Sequence, residues 1–186
     1  CILMPPKNTI ILGPSNSGKT ALANFLASKL DIPVFNCDSV QTYKSLNCLT
    51  SKPEFTSQEI VDGEVVSLIE ATHDLDLDKY KNIEFDVIEF REKKEVYSEV
   101  LDAHELNELF NSKLKIKNSK SDLIHNSSFK IQNYLFDVRE PLQSYSTLEF
   151  NEDVERIDEK FKFDSKMIVG GTTYYAQNYL LQSKEI

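Results

Sequence analysis

Residues 13–20 of this chain read GPSNSGKT, a spacing of residue types that holds phosphate. In the pattern G-x-x-x-x-G-K-[ST], backbone N–H groups converge on phosphate oxygens, and the helix that follows adds the positive end of its dipole. Gly13, Pro14, Ser15, Asn16, Ser17, Gly18, Lys19 and Thr20 are therefore the candidate diphosphate- or nucleotide-binding loop. Lys19 would bring a point charge to the phosphates and Thr20 a hydroxyl ligand for Mg²⁺. A chance match in a chain of this size is on the order of one in a hundred. The motif taken alone points towards ATP and leaves the reaction open.

Two further places carry chemistry. Asp38 stands in NCDSVQTY, just past an expected strand. Loops that follow adjacent parallel strands open on one crevice, which brings Asp38 towards the phosphate loop. There it would order Mg²⁺ or take a proton from a nucleophile; an Asp capping a turn with Ser39 is the plainer role. In IVGGTTYY, Gly170 and Gly171 permit close backbone approach and Thr172 would cap the next helix while facing the crevice. A simple strand-to-helix turn explains the two glycines nearly as well. No apolar run ending in Asp follows, so the second magnesium carboxylate of ordinary ATPases and GTPases is missing and that class is disfavoured. His73, His104 and His125 have no metal-ligand spacing. Tyr43 and Tyr174 stand beside the crevice motifs, where core packing is the first expectation and stacking on a base the second.

The elements that must position these residues follow from periodicity. Thr9–Leu12 reads as a strand, the loop comes next, and Leu22, Phe25, Leu26 and Leu30 recur at helical spacing. Ile32–Asn36 reads as a second strand, giving a βαβ start and a parallel sheet. Between 54 and 130 the chain turns acidic and Lys/Asn-rich. Ile83, Phe85 and Val87 alternate as a strand, Leu106, Leu109, Phe110 and Leu114 recur as a helix, and NSKLKIKNSKSD reads as a solvated loop. Order returns near Leu135. Ser146 and Glu149 form a capping box before a helix carrying Phe150, Val154, Ile157 and Phe161 on one face. Met167–Val169 is a short strand, and Tyr175, Ala176, Tyr179 and Leu180 line a last helix. The fold class expected is α/β, a P-loop NTPase-like three-layer fold with a central parallel sheet. The domain reading is a single core over 1–186 with 54–130 inserted in it.

Bulk properties agree with a globular domain. The 186 residues are 40% hydrophobic and 27% charged, with no apolar run near the ~20 residues of a membrane span, so no membrane association is expected. CILMPP is too short for a signal peptide. The chain starts at Cys1 rather than Met and stops just after a helical pattern, so we expect a fragment incomplete at its C-terminus. Cys1, Cys37 and Cys48 fit no zinc spacing and read as reduced thiols. A net charge of −9 argues against non-specific coating of nucleic acid.

Taken in order, GPSNSGKT, DSVQTYKSLNCLTSKP, YLFDVREPLQSYSTLEF and IVGGTTYYAQNYLL resemble the landmark motifs of the tRNA dimethylallyltransferases. The resemblance covers about residues 9–53 and 131–182, and the Y-Y-x-Q form looks more like the eukaryotic branch. It implies transfer of a dimethylallyl group from its diphosphate to N6 of the adenosine beside the anticodon in tRNA. By resemblance, Gly13–Thr20 hold the diphosphate with Mg²⁺; Thr20 is the candidate metal ligand, with Asp38 the second candidate by its position. Lys19 and Thr20 would act in catalysis, and Asp38 would be the base. Asp38, Ser39, Val40, Gln41 and Thr172 would contact the tRNA. The implied partners are tRNA and dimethylallyl diphosphate, the implied state a monomer, and the compartment cytoplasmic or mitochondrial. Two departures stand out: Asn133-Tyr134 replace a pair of histidines, and the 54–130 segment is long for the family. An adenylate isopentenyltransferase of the cytokinin type and a small-molecule kinase are the alternative enzymes, although Ser39 after the aspartate favours tRNA. A non-catalytic remnant that binds a partner is the remaining alternative.

Overall fold

The computed structural model describes residues 8–14, 17–38, 42–44, 55–71, 74–118, 130–171 and 173–181. At its centre four strands run parallel: β1 (Asn8–Leu12), β2 (Val34–Asn36), β7 (Lys130–Tyr134) and β8 (Met167–Gly170). Antiparallel hairpins extend the sheet on both sides, β3 (Ser57–Val61) with β4 (Glu64–Glu70), and β5 (Phe85–Arg91) with β6 (Lys94–Leu101). The eight strands lie in the order β3-β4-β7-β2-β8-β1-β5-β6.

Strand alternation divides the core into two layers. Ile11, Val34, Val87 and Met167 face α1 (Lys19–Leu30) and α2 (Ala103–Asn118), meeting Leu22, Leu26, Leu106 and Phe110. Ile10, Leu12, Phe35 and Ile168 face α3 (Thr147–Phe161) and α4 (Thr173–Leu181), meeting Phe150, Val154, Ile157 and Tyr179. The result is the expected three-layer P-loop α/β architecture. The capping box is present: Ser146 Oγ accepts the Glu149 N–H at 3.1 Å and the Glu149 carboxylate reaches back to the Ser146 N–H.

Two differences from the sequence reading have physical causes. The 54–130 segment supplies four strands, so the sheet is parallel at its centre and antiparallel at both flanks. NSKLKIKN is not a loop, because α2 continues through Asn118. Lys113 from that second half forms an ion pair with the buried Glu89 of β5, which holds the polar stretch on the sheet.

Candidate functional site

Three strand ends meet at one sheet edge. Leu12 lies beside Gly170 and Asn36 beside Val169, so the chain leaves β1, β2 and β8 on the same side. The Gly13 N–H donates to the Gly170 carbonyl at 3.1 Å, and the Cys37 N–H to the Val169 carbonyl at 2.8 Å. A Cβ on Gly170 would overlap the Cys37 sulfur and stand 3.1 Å from the Cys37 carbonyl carbon, so only glycine lets these strands close. The point where a Gly171 Cβ would stand is 3.5 Å from Asp38 Oδ2, 3.8 Å from Lys19 Nζ and 3.9 Å from the Gly13 carbonyl oxygen. Three motifs far apart in sequence thus set a carboxylate, an ammonium and the first loop glycine around one position.

Lys19 is buried and its Nζ donates to the Pro14 carbonyl at 3.3 Å. Burial lowers its pKa, while the charge of Asp38 and, secondarily, Cys37 oppose that shift. Burial likewise pushes the Cys37 thiol up to about 12, Asp38 adding to the rise and Lys19 opposing it. Thr20 is buried at the start of α1, and Ser17 Oγ is buried with no hydrogen-bond partner among the described residues. An orphaned hydroxyl of this kind calls for an explanation such as an unfilled ligand position.

Several residues that shape the site carried no sequence motif. Buried Asn36 accepts the Asp38 N–H at 3.0 Å, and its Nδ2 donates to the Asp38 carbonyl at 3.0 Å and the Leu135 carbonyl at 2.9 Å. Leu135 adopts φ 71, a region a bulky residue enters only when its surroundings demand it. Thr42 Oγ1 donates to the Asp38 carbonyl at 3.1 Å. Beneath the phosphate loop, Asn24 and Asn133 exchange amide hydrogen bonds at 3.0 and 2.8 Å, and their remaining hydrogens go to the Thr20 and Ile131 carbonyls. Asn133 thus belongs to a saturated buried pair that ties α1 to β7. A single buried Asn in a strand gives no cue to a partner 109 positions away.

Of the expected site residues, Gly13, Pro14, Ser17, Gly18, Lys19, Thr20 and Asp38 are described, whereas Ser15, Asn16, Ser39, Val40, Gln41 and Thr172 lie outside the described residues. His104 is on the surface, bonded to Asp78 at 3.1 Å, and no cluster of three His, Cys, Asp or Glu able to hold a metal occurs among the described residues. A dedicated cage is not what Mg²⁺ needs, since it binds through one or two carboxylates together with substrate phosphates. Asp38 offers one such carboxylate beside the loop, and Thr20 offers a hydroxyl at the start of α1. Among the described residues no helix is long and apolar enough to cross a membrane.

Fold and sequence together define an α/β protein in which a G-x-x-x-x-G-K-[ST] segment joins β1 to α1. No family model matches the chain. It is similar to curated tRNA dimethylallyltransferases: that of Finegoldia magna is 31% identical over 86 residues, 46% of this chain and 27% of the relative. That of Helicobacter pylori is 41% identical over 58 residues, 31% and 19% of the two chains, and that of a Bradyrhizobium strain 34% over 94 residues, 50% and 28%. The chain thus spans about a quarter of the length of the curated relatives it matches. Among solved structures it is similar to the tRNA delta(2)-isopentenylpyrophosphate transferase of Staphylococcus epidermidis, with a TM-score of 0.46 and 18% identity over 91% of this chain and 34% of that one.

Proposed function

We propose that the protein containing this chain transfers a dimethylallyl group from dimethylallyl diphosphate to N6 of the adenosine beside the anticodon of tRNA. The observation that carries the reading is the convergence of Asp38, Lys19 and Gly13 around Gly171, because prenyl transfer needs a proton acceptor and an anion site side by side. The loop residues Gly13–Thr20 would bind the diphosphate, with Lys19 countering its charge. The N6 nitrogen forms a bond to C1 of the dimethylallyl group as the C1–O bond breaks. Pyrophosphate leaves with the bonding electrons, and the N6 proton passes to Asp38. Bound Mg²⁺, held by Thr20 and Asp38, would neutralise charge accumulating on the departing pyrophosphate. The target base must leave its stack to reach this edge, and Ser39, Val40, Gln41 and Thr172 would guide it there. A monomer in the cytoplasm or mitochondrion suffices for this chemistry.

The relatives named above are tRNA enzymes, which favours tRNA over a free nucleotide acceptor. The test is transfer of radiolabelled dimethylallyl by the intact protein, with tRNA and AMP offered separately. Label is expected on tRNA, and Asp38→Ala should abolish transfer while leaving pyrophosphate binding measured without metal. Label on AMP alone would select the cytokinin-type reaction, and ATP-dependent phosphorylation of a small molecule would overturn prenyl transfer.

A further inference from the structure

Gly18, the second glycine of the loop, is left-handed (φ 74) where the loop becomes α1. Its carbonyl accepts two hydrogen bonds, from the Leu22 N–H at 3.2 Å and from the Tyr80 hydroxyl at 2.9 Å. The Gly18–Lys19 peptide is planar and trans, so its C=O and N–H point in opposite directions. Fixing the carbonyl towards the helix and Tyr80 therefore aims the Lys19 N–H the opposite way, off the N-terminal end of α1.

Tyr80 is held firmly. It ends a short 3₁₀ turn, Leu77–Tyr80, capped by Asp76, whose side chain accepts the Asp78 N–H at 3.1 Å. Its ring is buried and packs on Phe85 with centroids 6.3 Å apart. A Cβ on Gly18 would stand 3.3 Å from the Tyr80 hydroxyl oxygen, and one on Gly13 would stand 2.6 Å from Phe85 Cδ1. Both terminal glycines of the loop are thus seated on one aromatic pair, and both rings come from the 54–130 segment.

We propose that Tyr80, braced by Phe85, is a positioning residue for diphosphate binding: its hydroxyl sets the Gly18–Lys19 peptide so that the Lys19 N–H meets a phosphate oxygen. The inference rests on the loop being a diphosphate site, and it makes the 54–130 segment part of that site rather than an ornament on the fold. Burial raises the Tyr80 pKa, so the phenol keeps its proton further into the alkaline range than an exposed tyrosine does.

The test is calorimetric titration of the intact protein with inorganic pyrophosphate and Mg²⁺, alongside thermal unfolding without ligand. Tyr80→Phe keeps the ring and leaves the Gly18 carbonyl bonded to Leu22, so the unfolding temperature should hardly move. Pyrophosphate affinity should fall about three- to tenfold, the range of one hydrogen bond. Phe85→Leu should weaken it in the same direction. A lowered unfolding temperature with unchanged affinity in Tyr80→Phe would make the tyrosine merely structural and overturn the proposal. If instead the wild type fails to bind, or Lys19→Met binds as tightly, the diphosphate reading itself falls.

Discussion

Glu64 and Lys19 are both buried charges, and their surroundings differ. Glu64 on β4 is saturated: Arg156 of α3 donates to its two oxygens at 2.9 and 2.8 Å, and Lys160 adds a third bond at 2.5 Å. The Arg156 hydrogen bonds are the main reason its carboxyl titrates below the usual range. Lys19 forms no ion pair among the described residues, has a backbone carbonyl for its hydrogen-bond partner, and is shifted towards neutrality by burial. A charge answered inside the protein ties elements together, here the β3–β4 hairpin to α3. A charge that faces a neighbouring carboxylate, here Asp38, without closing an ion pair on it keeps hydrogen-bonding capacity at the mouth of the loop.

The sharpest way to break this contrast is to remove each charge and read both stability and binding. Lys19→Met should weaken pyrophosphate binding roughly 10–100-fold, the range expected for charged hydrogen bonds, while unfolding temperature stays level or rises because an apolar stem replaces a buried ammonium. Glu64→Gln should do the reverse. Removing half of a fully buried pair costs about 3–5 kcal/mol. Arg156 remains 46% exposed, so we expect on the order of 1–2 kcal/mol, read by denaturant unfolding, with pyrophosphate affinity unchanged.

Acid titration sharpens the same difference. The folded-state pKa of Glu64 is depressed, so its contribution is full at neutral pH and is lost as pH falls through that lowered value. Glu64→Gln should flatten the acid limb of the stability profile. Lys19 gives the smallest signal, on the alkaline side. Since its pKa lies below the ordinary 10.5, pyrophosphate affinity should decline before that pH is reached, and Lys19→Met should remove the decline.

Local signals were enough for the part of the fold built from contiguous pattern. Thr9–Leu12, the loop and the Leu22–Leu30 spacing gave β1 and α1, and Ser146 with Glu149 gave the start of α3. The flanking hairpins were harder to see. Asp62-Gly63 is a strong turn cue that joins β3 to β4, with φ 51 and 81. The β5–β6 turn instead uses Glu92-Lys93, both left-handed, where neither residue type announces it. The β6 strand is exposed along most of its length and lacks the alternation that marks a half-buried strand. In the site, residue types with intrinsic chemistry were legible: Lys19, Asp38 and the glycines. Asn36, Asn24, Asn133 and Tyr80 work only through partners brought to them by folding, and spacing along the chain carries no trace of that.

The close approach of Cys37 to Gly170 has a practical consequence. Thiol reagents attack the thiolate, and this sulfur is both enclosed and, with a pKa raised to about 12, almost wholly protonated near neutrality. Alkylation there would require strands β2 and β8 to separate first. Its rate, followed by peptide mapping, would serve as a clock for opening of the sheet where β1, β2 and β8 end. Pyrophosphate that bridges the loops should slow that clock in proportion to occupancy.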